Sequence, residues 1–220
     1  MLQVSNISKS YGKNEILKDL SFELGRSEVI AILGASGSGK STLLKLINRL
    51  VPFHAGEIVF EGSNVLDCDL RTLRKSISYM FQKGVIFPHL TVFENIALPL
   101  EADYDKPEIS ARVSTLMKMM DLGFEFKSRY PHELSGGQAQ RVSLAQSLAI
   151  DPDLILLDEP FNGLDTKTKK SLMQKMLEIK KTFGKSMILV THDVFEAEFM
   201  ADRIFELEGG RLIECGDFVH

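Results

Sequence analysis

A glycine-rich segment of the chain carries the residue types that bind phosphate groups. It reads Gly34-Ala35-Ser36-Gly37-Ser38-Gly39-Lys40-Ser41-Thr42 and fits the pattern G-x-x-x-x-G-K-[ST]. Glycine lets the backbone approach a phosphate closely, and the N–H groups at the start of a helix attract its anionic oxygens. Lys40 can reach the β- and γ-phosphates of a nucleotide, and the Ser41 hydroxyl can ligate Mg²⁺. The alternative is a flexible glycine-serine loop that matches the pattern by chance.

The residues on either side of this phosphate-binding loop predict a strand before it and a helix after it. Residues 29–33 form a short apolar run, which is typical of a buried parallel strand. Apolar residues after the loop recur at helical spacing and predict one buried face: Leu43, Leu46, Ile47 and Leu50. A strand, a glycine-rich turn and a helix are the context that the motif requires, which disfavours a chance match.

Two acidic residues and a histidine follow later apolar runs that also predict buried strands. Asp158 and Glu159 end the run that starts at residue 154, and His192 follows the run at residues 187–191. In a parallel sheet, these positions lie at the edge where nucleotides bind. There Asp158 can hold the water shell of Mg²⁺, Glu159 can polarise a water in line with the γ-phosphate, and His192 can hydrogen-bond that phosphate. The structural alternatives are a solvated acidic turn and an ordinary strand-end histidine.

Three other positions have suitable chemistry and an ordinary structural explanation as well. Tyr11 precedes a predicted turn and either stacks on an adenine ring or is a half-buried tyrosine at the end of a strand. Gln82 ends the predicted strand at residues 77–81, where its amide can ligate Mg²⁺ or hold the attacking water, or simply cap the strand. Ser135-Gly136-Gly137-Gln138 opens an amphipathic helix and forms either a second anion site or a helix cap.

Length and composition indicate one large domain, or one domain with a lobe, that holds its own core. The 220 residues carry a formal net charge of −4, which disfavours nucleic acid as the main partner. Cys68 and Cys215 are far apart in sequence, so we expect free thiols in a reducing compartment. We expect neither a secretion signal at residues 1–4 nor a membrane helix, and hence a soluble protein that reaches a membrane only through a partner.

The middle of the chain differs in composition from the predicted α/β core. Residues 83–100 hold glycine and proline among apolar residues, which predicts a mostly apolar loop that is either a docking surface or a buried connector. Residues 108–122 have a helical pattern, and we interpret the methionines in it as core-filling. We expect residues 83–150 to form a helical lobe inserted into a core made by residues 1–82 and 151–220.

The motifs, taken in this order, resemble the nucleotide-binding subunits of ATP-binding cassette (ABC) transporters over essentially the whole chain. Leu134-Ser135-Gly136-Gly137-Gln138 matches the family signature, which is highly specific between a phosphate-binding loop and an Asp-Glu strand. The resemblance implies one α/β domain of the P-loop nucleotide-hydrolase class over residues 1–220. That domain would have a parallel-sheet core, an N-terminal antiparallel β-subdomain and an inserted α-helical subdomain. The resemblance further implies an ATPase with ATP and Mg²⁺ as cofactors.

The same resemblance assigns roles to the candidate residues. It makes Tyr11 the adenine-stacking residue, Gln82 the Q-loop glutamine and Glu159 the catalytic base. It makes Asp165 the D-loop aspartate and His192 the switch histidine. The implied catalytic residues are Lys40, Gln82, Glu159 and His192. The implied Mg²⁺ ligands are Ser41, Gln82 and Asp158.

The resemblance also implies partners and a location. The family works as a head-to-tail dimer, in which the phosphate-binding loop of one subunit and the signature of the other hold each ATP. Residues 135–138 would therefore meet the γ-phosphate bound by a second copy. Integral membrane permease subunits would dock near residues 82–100. An extracytoplasmic solute-binding protein would belong to the same system, and nucleic acid would not be a partner. The implied location is peripheral, on the cytoplasmic face of the bacterial inner membrane.

Residues 87–92 and 129–138 look most like bacterial importers for osmoprotectants and amino acids. We therefore expect an ATPase that energises uptake of such a solute. Lipid- or lipoprotein-trafficking and export systems share the segment at residues 94–100 and are an alternative. A soluble cassette protein acting on ribosomes or nucleic acid is another, and a non-hydrolysing module would need Lys40 or Glu159 replaced. The chain departs from the family pattern at Gln146, where an arginine is usual, and at Gly163, which could loosen the D-loop turn.

Overall fold

The computed structural model describes residues 1–53, 55–81 and 86–217. Its strands are β1 (Leu2–Tyr11), β2 (Asn14–Leu24), β3 (Val29–Leu33), β4 (Ala55–Phe60), β5 (Ser63–Asn64), β6 (Ile77–Met80), β7 (Leu154–Asp158), β8 (Ser186–Val190), β9 (Arg203–Glu208) and β10 (Arg211–Asp217). Its helices are α1 (Lys40–Ile47), α2 (Leu70–Ser76), α3 (Val92–Ala97), α4 (Lys106–Met119), α5 (Gly136–Leu148), α6 (Thr166–Phe183) and α7 (Val194–Met200). Short 3-10 helices lie at Leu98–Leu100, Phe124–Phe126 and Pro131–Glu133. None of the helices in these ranges is long and apolar enough to cross a membrane.

The N-terminal sheet is antiparallel, with the strand order β2-β1-β4-β5. A tight turn at Gly12 joins β1 to β2, and its φ of 60° lies in the left-handed region that glycine adopts at little cost. Buried residues such as Leu2 and Val4 alternate with exposed ones along β1, because this sheet covers a core on one face only. The antiparallel β-subdomain expected from the sequence is confirmed.

The larger sheet brings the ends of three strands to one edge. Its strand order is β10-β9-β3-β8-β7-β6, and all neighbours are parallel except β10 and β9. Ile32, Val190 and Asp158 lie side by side in the registers of β3, β8 and β7. The segments that follow these strands therefore begin next to one another. The predicted parallel core is confirmed, with an antiparallel strand at one edge.

Both faces of this sheet are buried. Val29 and Ala31 of β3 belong to a hydrophobic cluster that includes residues of α3 to α7. Ile30 and Ile32 point the other way, into a cluster with α1, α2 and the N-terminal sheet. This two-sided burial explains why β3, β7 and β8 are unbroken apolar runs in the sequence. The first helix is shorter than its pattern predicts, because it ends at Ile47 and leaves Leu50 exposed.

The apolar loop predicted for residues 83–100 is wrong over its second half. Helix α3 begins there with a capping box, in which the Thr91 side chain accepts from the Glu94 N–H and the Glu94 carboxylate accepts from the Thr91 N–H. Val92 is fully buried in the core, which agrees with a connector rather than with an exposed loop. The T-x-x-E pattern was the helix signal, and the prolines on either side obscured it. Residues 82–85 lie outside the described ranges.

Asn95 is fully buried and organises the backbone that precedes α3. Its amide nitrogen lies 3.2, 2.9 and 2.9 Å from the carbonyl oxygens of Phe87, Leu90 and Thr91. Its Oδ1 accepts a hydrogen bond from the Phe87 N–H at 2.7 Å. One side chain thus binds four backbone groups, and three of them, the N–H and carbonyl of Phe87 and the carbonyl of Leu90, lie outside any helix or strand.

We predict that Asn95→Ala lowers the free energy of unfolding by about 2–4 kcal/mol, because it removes four part-buried hydrogen bonds to the backbone. Equilibrium denaturation in urea measures the loss. Asn14→Ala, at an exposed position at the start of β2, is the control and should change stability by less than about 0.5 kcal/mol. Equal stability of Asn95→Ala and the wild-type protein would contradict the role of Asn95.

Candidate nucleotide-binding and hydrolysis site

The phosphate-binding loop enters α1 through two glycines with left-handed backbone. The φ angles are 81° at Gly37 and 108° at Gly39. A Cβ atom on Gly39 would lie 2.8 Å from side-chain carbons of Ile16 and Leu17, so only glycine allows the loop to pack against β2. The first turn of α1 lines a cleft, where the N–H groups of a helix N-terminus attract an anion.

Lys40 is buried inside this loop. Its Nζ donates to the carbonyl oxygens of Gly34 at 2.7 Å and Ala35 at 2.9 Å. Burial lowers the pKa of Lys40, and the nearby carboxylates of Glu159 and Asp158 oppose this effect. A desolvated ammonium group beside a helix N-terminus is well placed to bind a phosphate oxygen.

Asp158 connects the phosphate-binding loop to the sheet. The Ser41 hydroxyl donates to Asp158 Oδ1 at 2.8 Å, and the Tyr79 hydroxyl donates to Asp158 Oδ2 at 2.7 Å. Burial, followed by the hydrogen bond to Asp158, raises the pKa of Tyr79 and keeps it a neutral donor. The sequence did not identify Tyr79, because only the pairing of β6 with β7 brings its hydroxyl to Asp158.

Glu159 sits at a strained turn directly after β7. Its φ is 46°, which non-glycine residues rarely adopt, and its N–H donates to the Val190 carbonyl at 2.9 Å. Glu159 Oε1 lies 3.5 Å from His192 Nδ1, and Glu159 Oε2 accepts from Asn162 Nδ2 at 3.1 Å. The Glu159 side chain is 12% exposed and that of His192 57%. Backbone strain of this kind is concentrated at active sites, and the contact with Asn162 is one that the sequence did not predict.

A cleft of about 270 Å³ brings together residues predicted from both ends of the chain. Its lining is Tyr11, Ile16, Ser36, Gly37, Gly39, Lys40, Ser41, Thr42 and Glu159. The Tyr11 ring is 50% exposed, with Lys9 Nζ 5.1 Å from its centroid. An accessible aromatic face at this place suits a stacked base, although the role of Tyr11 stays a prediction.

The signature residues lie outside the lining of that cleft. Ser135 caps α5 in a capping box, in which its N–H donates to Gln138 Oε1 at 2.9 Å and its Oγ accepts from the Gln138 N–H at 3.3 Å. Helix α5 packs against α6 so closely that a Cβ on Gly137 would lie 2.8 Å from Thr168 Cγ2. Within one chain, the second predicted anion site is therefore separate from the first.

Asp165 also lies outside the cleft lining and caps α6. Its Oδ1 accepts from the N–H groups of Lys167 at 3.1 Å and Thr168 at 3.0 Å. Hydrogen bonds from Thr168, first from its side chain and then from its backbone, lower the pKa of Asp165 and keep it ionised. Gly163, just before it, has a φ of 76°, so glycine suits this turn rather than loosening it.

The residues present fit a magnesium-nucleotide complex. In the described ranges, no group of three or more histidine, cysteine or acidic side chains could hold a metal by itself. Mg²⁺ keeps several waters and takes few protein ligands beside the phosphates of a nucleotide. Ser41 and Asp158 would supply two of them, and the third predicted ligand, Gln82, lies outside the described residues. Ser38 Oγ in the loop is buried without a partner in the described part of the chain, as suits a site completed by a ligand.

The chain is similar to known proteins over most of its length. Residues 17–162 match the family model described as ABC transporter. The chain is 41% identical over 218 residues to the choline transport ATP-binding protein OpuBA of Bacillus subtilis, covering 98% of this chain and 57% of that protein. It is 38% identical over 218 residues to the glycine betaine uptake system ATP-binding protein YehX of Escherichia coli, covering 99% and 71%. The chain thus spans little more than half the length of the Bacillus protein.

A solved structure has the same fold along its whole length. It is the dimeric ATP-binding cassette MJ0796 in a post-hydrolysis state with ADP and Pi, at 34% identity, with a TM-score of 0.90 and 100% coverage of both chains. The fold class and the family expected from the sequence are therefore both confirmed. On the match to its family model and its likeness to these relatives over at least 98% of its own length, the chain belongs to the ATP-binding proteins of the ABC transporter family.

Proposed function

We propose that this chain binds ATP with Mg²⁺ and hydrolyses it as the motor subunit of a membrane transporter. One observation carries the proposal: Lys40, Asp158 and Glu159 converge at a single edge of the sheet, beside the N-terminus of α1. An ammonium group for the phosphates, a carboxylate for the metal and a second carboxylate for water are the parts that phosphoryl transfer needs. A binding module that does not hydrolyse ATP would not need the second carboxylate.

In the proposed reaction, a water attacks the γ-phosphorus of ATP. Glu159 accepts a proton from that water, and the bond between the γ-phosphorus and the oxygen bridging to the β-phosphate breaks, which yields ADP and phosphate. His192 and Asn162, at 3.5 and 3.1 Å from the Glu159 carboxylate, orient it. When bound, Mg²⁺ neutralises charge on the phosphate oxygens, and Ser41 and Asp158, with Gln82, would hold it.

Two copies of the chain would complete each site. Residues 135–138 lie outside the cleft, yet they present the N-terminus of α5, an anion-attracting end that a second copy could bring to the γ-phosphate. The related cassette MJ0796 was solved as a dimer. We therefore infer a head-to-tail dimer with two ATP molecules between its subunits.

The transported solute is, on this proposal, a quaternary ammonium osmoprotectant. The support is that relatives are named for choline transport and glycine betaine uptake. Permease subunits would dock near residues 82–100, where the helical subdomain at 83–150 begins, on the cytoplasmic face of the membrane. A solute-binding protein would deliver the solute. Deleting the gene should abolish uptake of radiolabelled choline or glycine betaine and leave leucine uptake intact. Unchanged uptake of both osmoprotectants would contradict this assignment.

Glu159→Gln should bind ATP with nearly unchanged affinity but hydrolyse it at least about 100-fold more slowly, because an amide cannot accept the proton of the water. Phosphate release and equilibrium ATP binding measure the two properties. Glu198→Gln, at an exposed position on α7, is the matched control and should hydrolyse ATP at the wild-type rate. Phosphate release by Glu159→Gln at nearly the wild-type rate would exclude Glu159 as the base.

Tyr79→Phe should raise the Mg²⁺ concentration that half-saturates ATP binding by about 10-fold, because Asp158 loses the donor that orients it. The binding titration is done in the Glu159→Gln background, so that ATP is not consumed. Tyr104→Phe, whose ring lies under the Arg112 guanidinium at 4.1 Å, is the control and should leave the Mg²⁺ dependence unchanged. An identical Mg²⁺ dependence with and without Tyr79→Phe in the Glu159→Gln background would refute the role of Tyr79.

Mixed dimers test whether two copies share each site. Lys40→Ala disables the phosphate-binding loop and Ser135→Arg disables the signature, so each variant alone should be inactive. A mixed dimer has one site with both defects and one site with none. An equimolar mixture with random pairing should regain roughly a quarter of wild-type hydrolysis, measured as phosphate release. Continued inactivity in mixtures that demonstrably exchange subunits would argue against shared sites.

A further inference from the structure

Lys169, in the first turns of α6, holds the segment that follows β8. Its Nζ lies 2.6 Å from Asp193 Oδ2 and 2.6 Å from Glu196 Oε1. The Lys169 side chain is 18% exposed and that of Glu196 only 4%. Burial opposes the charge on Lys169, but the hydrogen bonds to both carboxylates outweigh it and raise its pKa, while the bond to Lys169 lowers the pKa of Asp193. Lys169 and Asp193 are therefore charged, and both Asp193 and Glu196 are held against the Lys169 Nζ.

Glu196 extends this contact to both sides of His192. The Thr191 hydroxyl donates to Glu196 Oε2 at 2.5 Å, and the Asp193 N–H donates to Thr191 Oγ1 at 3.1 Å. The Thr191 N–H also donates to the Ile32 carbonyl at 3.2 Å, which fixes it to the end of β3. His192 is thus an exposed side chain on a backbone that is anchored immediately before and after it.

The other end of the connection is the start of α6. The Lys169 N–H donates to the Asp165 carbonyl at 2.9 Å, within the turn that Asp165 caps. A displacement of this turn would move Lys169, and through its ion pairs the residues that flank His192. Lys169 itself lies outside the cleft lining.

We propose that Lys169, together with Glu196, is a positioning residue for His192. The ion pair holds residues 191–193 in the conformation that places the imidazole beside Glu159, and it ties that conformation to the start of α6. This inference rests on the proposed ATPase function. It predicts a loss of turnover without a loss of ATP binding, because the residues that Lys169 holds flank the histidine that acts in the hydrolysis step.

The same helix offers a matched control. Lys180 of α6 pairs with Asp202 at 2.5 and 2.7 Å, and its side chain is also 18% exposed. This pair lies about three helical turns from Lys169 and contacts the segment before β9. Lys169→Met and Lys180→Met therefore remove equally buried lysine charges from one helix, and only the first loss is next to His192.

Steady-state hydrolysis compares these variants. Lys169→Met should lower kcat by about 10-fold or more and change KM for ATP by less than about 3-fold. Lys169→Arg keeps the charge and the donors, so it should restore most of the rate. Lys180→Met should stay within about 2-fold of wild type while losing a similar amount of thermal stability. An equal loss of kcat in both methionine variants, or an unchanged kcat in folded Lys169→Met, would overturn the proposal.

Two further readouts separate positioning from a general loss of structure. In single-turnover assays with enzyme in excess, adding Lys169→Met to His192→Ala should leave the residual rate unchanged within about 2-fold, whereas independent effects would multiply. The NMR signals of the His192 ring, assigned by their loss in His192→Ala, should shift in Lys169→Met and not in Lys180→Met. Unshifted His192 signals in Lys169→Met would overturn this inference, and this measurement does not require the protein to hydrolyse ATP. A wild-type protein that fails to hydrolyse ATP would instead overturn the proposed function.

Discussion

The hydrogen bond between Ser41 and Asp158 is the contact on which the nucleotide site depends. Asp158 is only 4% exposed, and a buried carboxylate is costly unless donors and a positive charge compensate it. Ser41 and Tyr79 occupy one oxygen each, and the Lys40 ammonium group is close enough to feel its charge. These compensating groups come from α1 and β6, so the carboxylate can be buried only when the parallel sheet has formed. Folding and assembly of the site are thus one event.

The backbone, more than side-chain packing, sets the position of the candidate base. Glu159 leaves β7 in a left-handed conformation and donates its N–H to the Val190 carbonyl, which continues the sheet by one hydrogen bond. The carboxylate is thereby turned out of the sheet and toward His192. Asn162 then binds its second oxygen from the next turn of the chain. The two neighbouring acids consequently have different contacts, because Asp158 ends the strand and Glu159 leaves it.

Local patterns predicted the strands, the phosphate-binding loop and the two acids, because each is encoded within a few consecutive residues. The contact between Tyr79 and Asp158 was not predictable in this way, since it joins residues from two different strands whose pairing no spacing reveals. Asn162 was missed for a similar reason, because its reach to Glu159 depends on an unusual φ angle. Helix α3 was missed because the proline and glycine residues near it were interpreted as a loop, although its capping box indicated a helix. The contacts of Tyr79 and Asn162 with the two acids thus became visible only in the tertiary structure.

The two predicted anion sites of one chain, the phosphate-binding loop and the signature residues 135–138, are separate, and this has a mechanical consequence. The signature helix α5 packs against the start of α6 where Gly137 meets Thr168, and α6 carries both the Asp165 cap and Lys169. A force on the start of α5 from a nucleotide held by a second copy would therefore reach α6 directly. From α6 it would pass through the Lys169 ion pairs to the residues beside His192. In such an arrangement, α6 would connect closure of the dimer to the position of His192. Closure would then align the hydrolytic groups without a further conformational change.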